Sequence, residues 1–419
     1  MRVLIVNTSE ATGGAAIAAN RLMEALKANG VKATMMVRDK QTSQITVAST
    51  GSKWLMALRF IWERLLILFA MGGKKKDIWQ VDLANVGTDI TNTDEFRQAD
   101  VVHLHWVNQG FLSLSDIRKI MKSGKRVVVT MHDMWYFTGI CHYAGSCSKF
   151  ETECSDCPML KRKLLGRDIA ANAFKKKKAI YDQSRITFVG CSHWMQQMAE
   201  KAALTRKHDV VCIHNAINTK HFEPKDKMQE RKRMGLPADK KLILFGSQKI
   251  TDERKGFSYL VKACEHLKAE NPQLASDITV VVVGANSEEL RQQVPFDLVA
   301  VDYITDEREM VSLYNAVDLY VTPSLQDNLP NTIMEAMACA VPCVGFNIGG
   351  IPEMIEHKQT GYVAKYKDAA DFAEGIAWVL QPENYARLAS ESREKVLREY
   401  SQGHIARLYT NVYEKRELK

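Results

Sequence analysis

Short β-branched runs alternate with helical segments from the first residues onward, and the alternation occurs twice. VLIVN (3–7), ATMMV (33–37), DVVHLHW (100–106), RVVVTMH (126–132) and ITFVG (186–190) are each at most seven residues long. A helical stretch, AAIAANRLMEALKANG, follows the first of them and ends at Gly30. Runs that are apolar on both faces belong to strands covered from both sides, so this pattern predicts a parallel sheet between helices. It then restarts with KLILFGS (241–247), a helix from Phe257, ITVVVVG (278–284), a helix near 307–316 and DLYVTPS (318–324). Between the halves, residues 218–240, NTKHFEPKDKMQERKRMGLPADK, are polar and proline-punctuated, the composition of an interdomain linker. At 419 residues the chain is too long for one ordinary core. The expected fold class is α/β, with two doubly wound domains facing across a cleft.

Composition narrows the function classes. Hydrophobic residues at 46% and charged residues at 25% describe a globular chain with no disordered or repetitive block. MRVLIVNTSEATGG has an apolar run of five residues, which reads as a first strand rather than a signal peptide, so a cytosolic protein is expected. The formal charge of +8 is unevenly spread: residues 161–178, KRKLLGRDIAANAFKKKK, carry eight basic side chains and one acid. A solvated helix face is the plain reading, and an anionic partner surface the functional one. Without aromatic interleaving or a nucleic-acid motif, a membrane ranks above nucleic acid, and no nucleic-acid partner is expected.

The stretch SLQDNLPNTIMEAMACAVPCVGFNIGGIPEMI (324–355) carries the chemistry. DLYVTPS ends where it begins, and ligands of such sheets bind beyond the carboxyl ends of the strands. Pro330 suits a helix start and Pro342 a stop, so the helix N-terminus beside Asn328 and Leu329 forms a seat for phosphate. Asp327 lies in the loop ahead of that seat, and Glu335 about one and a half turns into the helix. Carboxylates accept from paired hydroxyls, so a diphosphate flanked by polyols fits: Glu335 on a ribose, Asp327 on a sugar. An ordinary strand–loop–helix would contain the same residue types.

These residues closely resemble the signature of family 4 glycosyltransferases, retaining enzymes of the GT-B fold that use nucleotide-sugars. Two acidic residues separated by seven others precede a Glu-Ala-Met-Ala helix and a Gly-Gly-x-Pro-Glu turn. Asp327 replaces the usual first glutamate, Glu335 matches the second, and Gly349, Gly350 and Glu353 match the turn. Gly13 and Gly14 fit the family's glycine loop, His132-Asp133 its strand-end histidine motif, and Lys255 its phosphate-binding Lys-Gly segment. CSHWM (191–195) and IHNAINTKHF (213–222) fit its strand pair before the linker. One departure is Ser247 where the family commonly has an arginine, with Lys249 and Arg254 as substitutes. The resemblance implies an acceptor-side domain over 1–220, with the helix at 398–419 packing back on it, and a nucleotide-sugar-binding domain over 221–397. It also implies a hexosyltransferase-type enzyme (EC 2.4) of the bacterial surface-polysaccharide type, as in capsule or lipopolysaccharide synthesis. A UDP-sugar is the favoured donor, and a glycan or polyprenyl-diphosphate-linked glycan the acceptor. Transfer would proceed by front-face displacement, with His132 against the donor sugar and Asp133 nearer the acceptor. Lys255 and backbone amides near Leu329 and Gly349 would stabilise the departing diphosphate, with no metal required for catalysis. His103 and His105 would line the acceptor side or be held structurally. Two alternatives stay open: a nucleotide-sugar epimerase, and a non-catalytic binding protein on a degenerate transferase scaffold.

Two features lie outside that signature. Residues 54–71, WLMALRFIWERLLILFAM, are apolar at all but Arg59, Glu63 and Arg64, and GGKKK follows. Three charges on one stripe suit an in-plane amphipathic helix on an anionic membrane, or a helix buried between domains, better than a spanning one. The second is CHYAGSCSKFETECSDCP, spaced C-x5-C-x6-C-x2-C. A structural Zn²⁺ held by Cys141, Cys147, Cys154 and Cys157, with His142 in reserve, is the expected use of four sulfurs in a polar loop.

Overall fold

Among the described residues, thirteen strands form two parallel sheets. The structure is a computed structural model that describes residues 1–74, 78–164, 166–249 and 252–415, the side chain of Lys249 excepted. By internal contacts the chain divides into one unit of Met1–Ala216 with Ile405–Lys419, and a second of Ile217–His404.

In the first unit, β1 (Arg2–Ser9), β2 (Lys32–Asp39), β3 (Val47–Ser49), β4 (Val101–Leu104), β5 (Arg126–Met131), β6 (Ile186–Gly190) and β7 (Asp209–Cys212) pair in the order 3-2-1-4-5-6-7. Strand alternation explains why consecutive side chains in the middle of these strands are apolar. Leu4, Val6, Val102, Leu104, Val127 and Val129 enter one core, while Val3, Ile5, Val101 and Val128 enter another. The second core is closed by the helix Gln402–Glu414 through Ile405, Ala406, Tyr409, Val412 and Tyr413, a stripe at helical spacing. Each such aliphatic side chain, fully buried, contributes about 1.5–3 kcal/mol, so the two-sided pattern dictates two covering layers.

In the second unit, β8 (Lys241–Lys249), β9 (Ile278–Ala285), β10 (Asp297–Val301), β11 (Leu319–Thr322), β12 (Cys343–Phe346) and β13 (Gly361–Ala364) pair in the order 10-9-8-11-12-13. The strand order reverses between β1 and β4 in the first sheet, and between β8 and β11 in the second. These are the switch points where such sheets open a crevice at their carboxyl edge.

The polar stretch 218–240, which starts beside the Ala216/Ile217 boundary of the two units, is partly helical. It contains the helix Lys227–Met234, capped by the Asp226 side chain and ended by Gly235 in the left-handed conformation. Arg231 is buried there, donating to Asp318 Oδ2 at 2.6 Å and to the carbonyls of Ala316 and Ala238. Straight-chain polar residues between an Asp and a Gly are a capped helix as much as a linker, and the buried arginine fastens it to the sheet.

Candidate functional site

At the second sheet's switch point, two loops are locked together by backbone. The turn Glu253–Lys255 precedes Gly256, whose φ is +70° and whose added Cβ would fall 1.8 Å from the Pro323 carbonyl oxygen. Leu325 N donates to Arg254 O at 2.7 Å. This closeness delivers Lys255 Nζ to within 2.7 Å of Asp327 Oδ2. From the far side, Gly349 (φ +58°) approaches so closely that a Cβ there would lie 1.8 Å from Asp327 O. Lys255, Asp327, Asn328, Leu329, Gly349 and Gly350 thus gather around one turn, although they span 96 positions of sequence. The helix Asn331–Ala338 starts there, with Pro330 at its cap making no side-chain cap hydrogen bond. Glu335, buried on this helix, accepts a hydrogen bond from Tyr314 Oη at 2.8 Å through Oε2. Arg254, by contrast, pairs with neighbouring Asp252 at 2.7 Å and is half exposed. The Lys249 side chain lies outside the described residues.

In the first unit, the helix Gly14–Ala28 begins at Gly13, whose φ of +93° excludes most other residues. Along the same carboxyl edge, His103, His105 and His132 form a stack. His103 is fully buried, its nitrogens bonded to Tyr413 Oη (2.8 Å) and Thr130 Oγ1 (2.7 Å), so its role is structural. His105 Nδ1 meets His132 Nε2 at 2.9 Å, and His132 Nδ1 lies 3.5 Å from Cys191 Sγ. Burial lowers the His132 imidazole to about 4 despite the nearby Asp133, and His103 to about 3, so both rings are neutral near neutrality. The structure turns Asp133 inward: it accepts from Trp135 N (2.8 Å), Trp106 Nε1 (2.9 Å) and His142 Nδ1 (2.8 Å). Burial pushes its carboxyl up, but the charge and hydrogen bond of His142 outweigh this and hold it below the usual range.

The helix Lys53–Ala70 reverses the usual polarity of a surface helix. Glu63 and Arg64 face inward: Glu63 Oε1 accepts from Leu83 N (2.9 Å) and Ala84 N (2.7 Å), and Arg64 donates to Asp82 Oδ2 (2.7 Å). Burial, then the Asp82 charge, raises the Glu63 carboxyl, which therefore carries a proton at neutral pH. Outward, Trp54 (82% exposed), Leu58 (61%), Ile61, Trp62, Leu65 and Phe69 form a continuous apolar face. At its C-terminal end, exposed Lys161 and Arg162 donate their backbone N–H groups to Ala70 O, and the Arg162 guanidinium lies 5.4 Å from the Phe69 ring. Lys75 and Lys76 lie outside the described residues, and among those described no helix is long and apolar enough to cross a membrane. The basic run is not wholly a solvated face either. Lys177 is fully buried against Trp135 and donates to Trp135 O (2.5 Å) and Thr138 O (3.1 Å).

Cys141, Cys147, Cys154 and Cys157 lie against the first unit's core and interact electrostatically with one another. Gly139 N donates to Cys154 Sγ at 3.2 Å, and the backbone at Met159 and Leu160 donates to Cys157. Burial outweighs these donors and raises the Cys141 thiol to about 12 and those of Cys154 and Cys157 above their ordinary value, so only a bound cation would hold them as thiolates. His142 is not with them: its nitrogens face Asp133 and, at 3.9 Å, Asp82. Among the described residues, the group of three metal-ligating side chains whose atoms all lie within 4.8 Å of one another is His193, Cys212 and His214. Sequence reasoning missed this group and Tyr314. The signal for the first was two Cys-x-His triplets, CSH (191–193) and CIH (212–214), after neighbouring strands.

Comparison with known proteins agrees with this arrangement. A family profile described as "Glycosyltransferase Family 4" matches residues 12–221, and one described as "Glycosyl transferases group 1" matches residues 239–382. An uncharacterized glycosyltransferase of Methanocaldococcus jannaschii is 25% identical over 362 residues, covering 80% of this chain and 89% of its own. Among solved structures, sucrose-phosphate synthase from Thermosynechococcus elongatus superposes with a TM-score of 0.67 at 18% identity, over 99% of this chain and 98% of that one. Anabaena HepE in complex with UDP-glucose gives 0.64 at 14% identity, over 99% and 100%. Since the first profile alone spans half of the 419 residues, the chain belongs to glycosyltransferase family 4 and is a glycosyltransferase of the GT-B fold.

Proposed function

We propose that the protein is a retaining transferase that moves a sugar from a nucleoside diphosphate donor, UDP favoured, to a growing, lipid-linked glycan of a surface polysaccharide. The observation that carries the donor reading is the Lys255–Asp327 contact at the second sheet's switch point, held by two glycine closures. Cleavage of the anomeric bond leaves negative charge on the diphosphate, and a lysine fixed beside a helix start is suited to receive it. Glu335, oriented by Tyr314, is the acceptor for ribose hydroxyls, and Asp327 for the sugar. A neutral His132 donates or accepts without a net charge of its own. UDP-glucose in the Anabaena protein supports the same donor class.

The lipid-linked acceptor rests on the outward apolar face of Lys53–Ala70. Its rim of Lys161 and Arg162 suits an anionic surface, which would place the enzyme peripherally on the inner membrane face. A structural Zn²⁺ on Cys141, Cys147, Cys154 and Cys157 completes the proposal, pinning the loop that follows His132 and taking no part in the chemistry. The test is a screen of nucleotide-sugars over free and polyprenyl-diphosphate-linked acceptors, with the product's anomeric configuration read by NMR. UDP release that requires acceptor and gives the donor's own configuration is expected. Inverted product, or turnover of donor without acceptor to an epimeric sugar, would overturn it.

A further inference from the structure

β6 and β7 are parallel neighbours in register, with Gly190 opposite Cys212. Each leaves the sheet through a Cys-x-His triplet, so the topology brings two histidines off adjacent strand ends at one level. Ser192 Oγ accepts from Met195 N at 3.0 Å and caps the helix His193–Lys201, which fixes His193 as its first residue at the rim. Ile213 N donates to Gly190 O at 3.0 Å, which fixes the second triplet against the first. The result is that ligand atoms of His193, Cys212 and His214 converge within 4.8 Å, with the histidine rings edge-on at 5.9 Å between centroids.

A second observation points to a ligand rather than to chance proximity. His193 Nδ1 lies 3.3 Å from Gln196 Oε1. The identity of that amide oxygen is set by the other end of the side chain, where Nε2 donates to Glu200 Oε1 at 3.0 Å and toward Val210 O at 3.5 Å. An oxygen can only accept, so Nδ1 carries the proton and Nε2 keeps the lone pair. That is the tautomer of a metal-bound histidine whose other nitrogen is held by an outer-shell carbonyl.

We propose that His193, Cys212 and His214 bind a borderline-soft transition-metal ion, Zn²⁺ being the reference, through two imidazoles and one thiolate. The absence of a carboxylate or carbonyl from the set disfavours Mg²⁺ and Ca²⁺, which require oxygen. Three protein ligands leave a fourth position for water or an anionic group. The half-buried Cys212 and His214 and the exposed His193 give an ion access from solvent. The site is separate from the four-cysteine loop and uses none of the donor-side residues, so it stands or falls independently of the proposed reaction.

The test uses Co²⁺ as a spectroscopic probe on the full chain, since a thiolate–cobalt band reports sulfur ligation directly. Wild-type protein is expected to bind one more equivalent of Co²⁺ than Cys212→Ser. Zn²⁺ should displace this equivalent. His193→Ala, an exposed position that leaves folding intact, should weaken it at least about a hundredfold, and Gln196→Ala about tenfold through the lost orienting bond. Cys154→Ser should leave this equivalent untouched. Equal stoichiometry and affinity in wild type, His193→Ala and Cys212→Ser would overturn the proposal, as would loss of the same equivalent in Cys154→Ser.

Discussion

Lys255 and Asp327 hold each other at 2.7 Å, which makes two roles for the lysine distinguishable. If it acts on the diphosphate, Lys255→Ala lowers transfer at least about a hundredfold, roughly 2.7 kcal/mol of transition-state stabilisation. Lys255→Ala with Asp327→Asn then stays as slow as the single variant. If the lysine only neutralises Asp327, the double variant recovers, and steady-state rates decide between the two. Glu335→Gln should cost a similar factor, whereas Tyr314→Phe, which frees the carboxylate without removing it, should raise the donor KM more than it lowers kcat. Gly349→Ala forces a side chain into the Asp327 carbonyl at a positive φ, so it should lower both the melting temperature and transfer. Normal activity in that variant would mean that the turn does not shape the donor site. Asp327, Glu335 and Gly349 stand in one contiguous stretch that the sequence singles out, whereas Lys255 comes from a separate Lys-Gly segment through the family resemblance. Tyr314 was not legible: helical periodicity marks it as buried, and nothing in the sequence says which carboxylate its hydroxyl will meet. The surroundings of Asp133, expected nearer the acceptor, were not legible for the same reason. Its partners Trp106 and His142 come from different segments, and their donors turn it inward.

The helix Lys53–Ala70 shows where pattern reading reverses sign. Arg59, Glu63 and Arg64 share a stripe, and a charged stripe on an apolar helix normally faces water. Here Glu63 and Arg64 are buried, because the strap at Asp82–Ala84 offers two N–H groups and a carboxylate that satisfy them. The outer face is left to Trp54, Leu58, Ile61, Trp62 and Leu65. The protein is therefore expected to cosediment with anionic vesicles at low salt. Each large apolar side chain taken into the interface contributes up to about 1.5–3 kcal/mol, so Leu58→Ser with Trp62→Ser should weaken binding at least about tenfold. Lys161→Glu with Arg162→Glu should remove mainly the salt-sensitive part. No binding at low salt would sink the membrane reading. The four-cysteine loop carries its own expectation. Protein purified without added metal should hold zinc that Cys154→Ser and Cys157→Ser lose together, and free reaction of all four thiols in the folded chain would exclude it.

At the scale of the whole molecule, both units bury thiols and phenols, and the first adds a stack of histidines. The first holds His103, His105 and His132 stacked at the carboxyl edge of its sheet, all lowered by burial: to about 3 for His103, about 4 for His132, and well below normal for His105. The second buries thiols and phenols, Cys264, Cys343, Tyr314 and Tyr320 among them, whose pKa values burial raises and which stay neutral in acid. For a histidine lowered on folding, the unfolded chain binds the extra proton, so stability rises with pH across the window between the two values. The contribution is complete above about 6.5, the unfolded value, and is lost progressively as pH falls toward 4. His142, raised by Asp133 and Asp82 against its burial, has the opposite sign: its contribution is complete below about 6.5 and declines as pH rises through its folded value. Below pH 6.5 it adds nothing further to offset the other three. Acid should therefore open the first unit before the second. Hydrogen exchange, corrected for intrinsic rates and compared at about pH 6.5 and 5, should show β4 and β5 losing protection while β8 and β9 keep theirs. Equal loss in both sheets, or earlier loss in the second, would mean that the histidine stack does not set the acid limit of this fold.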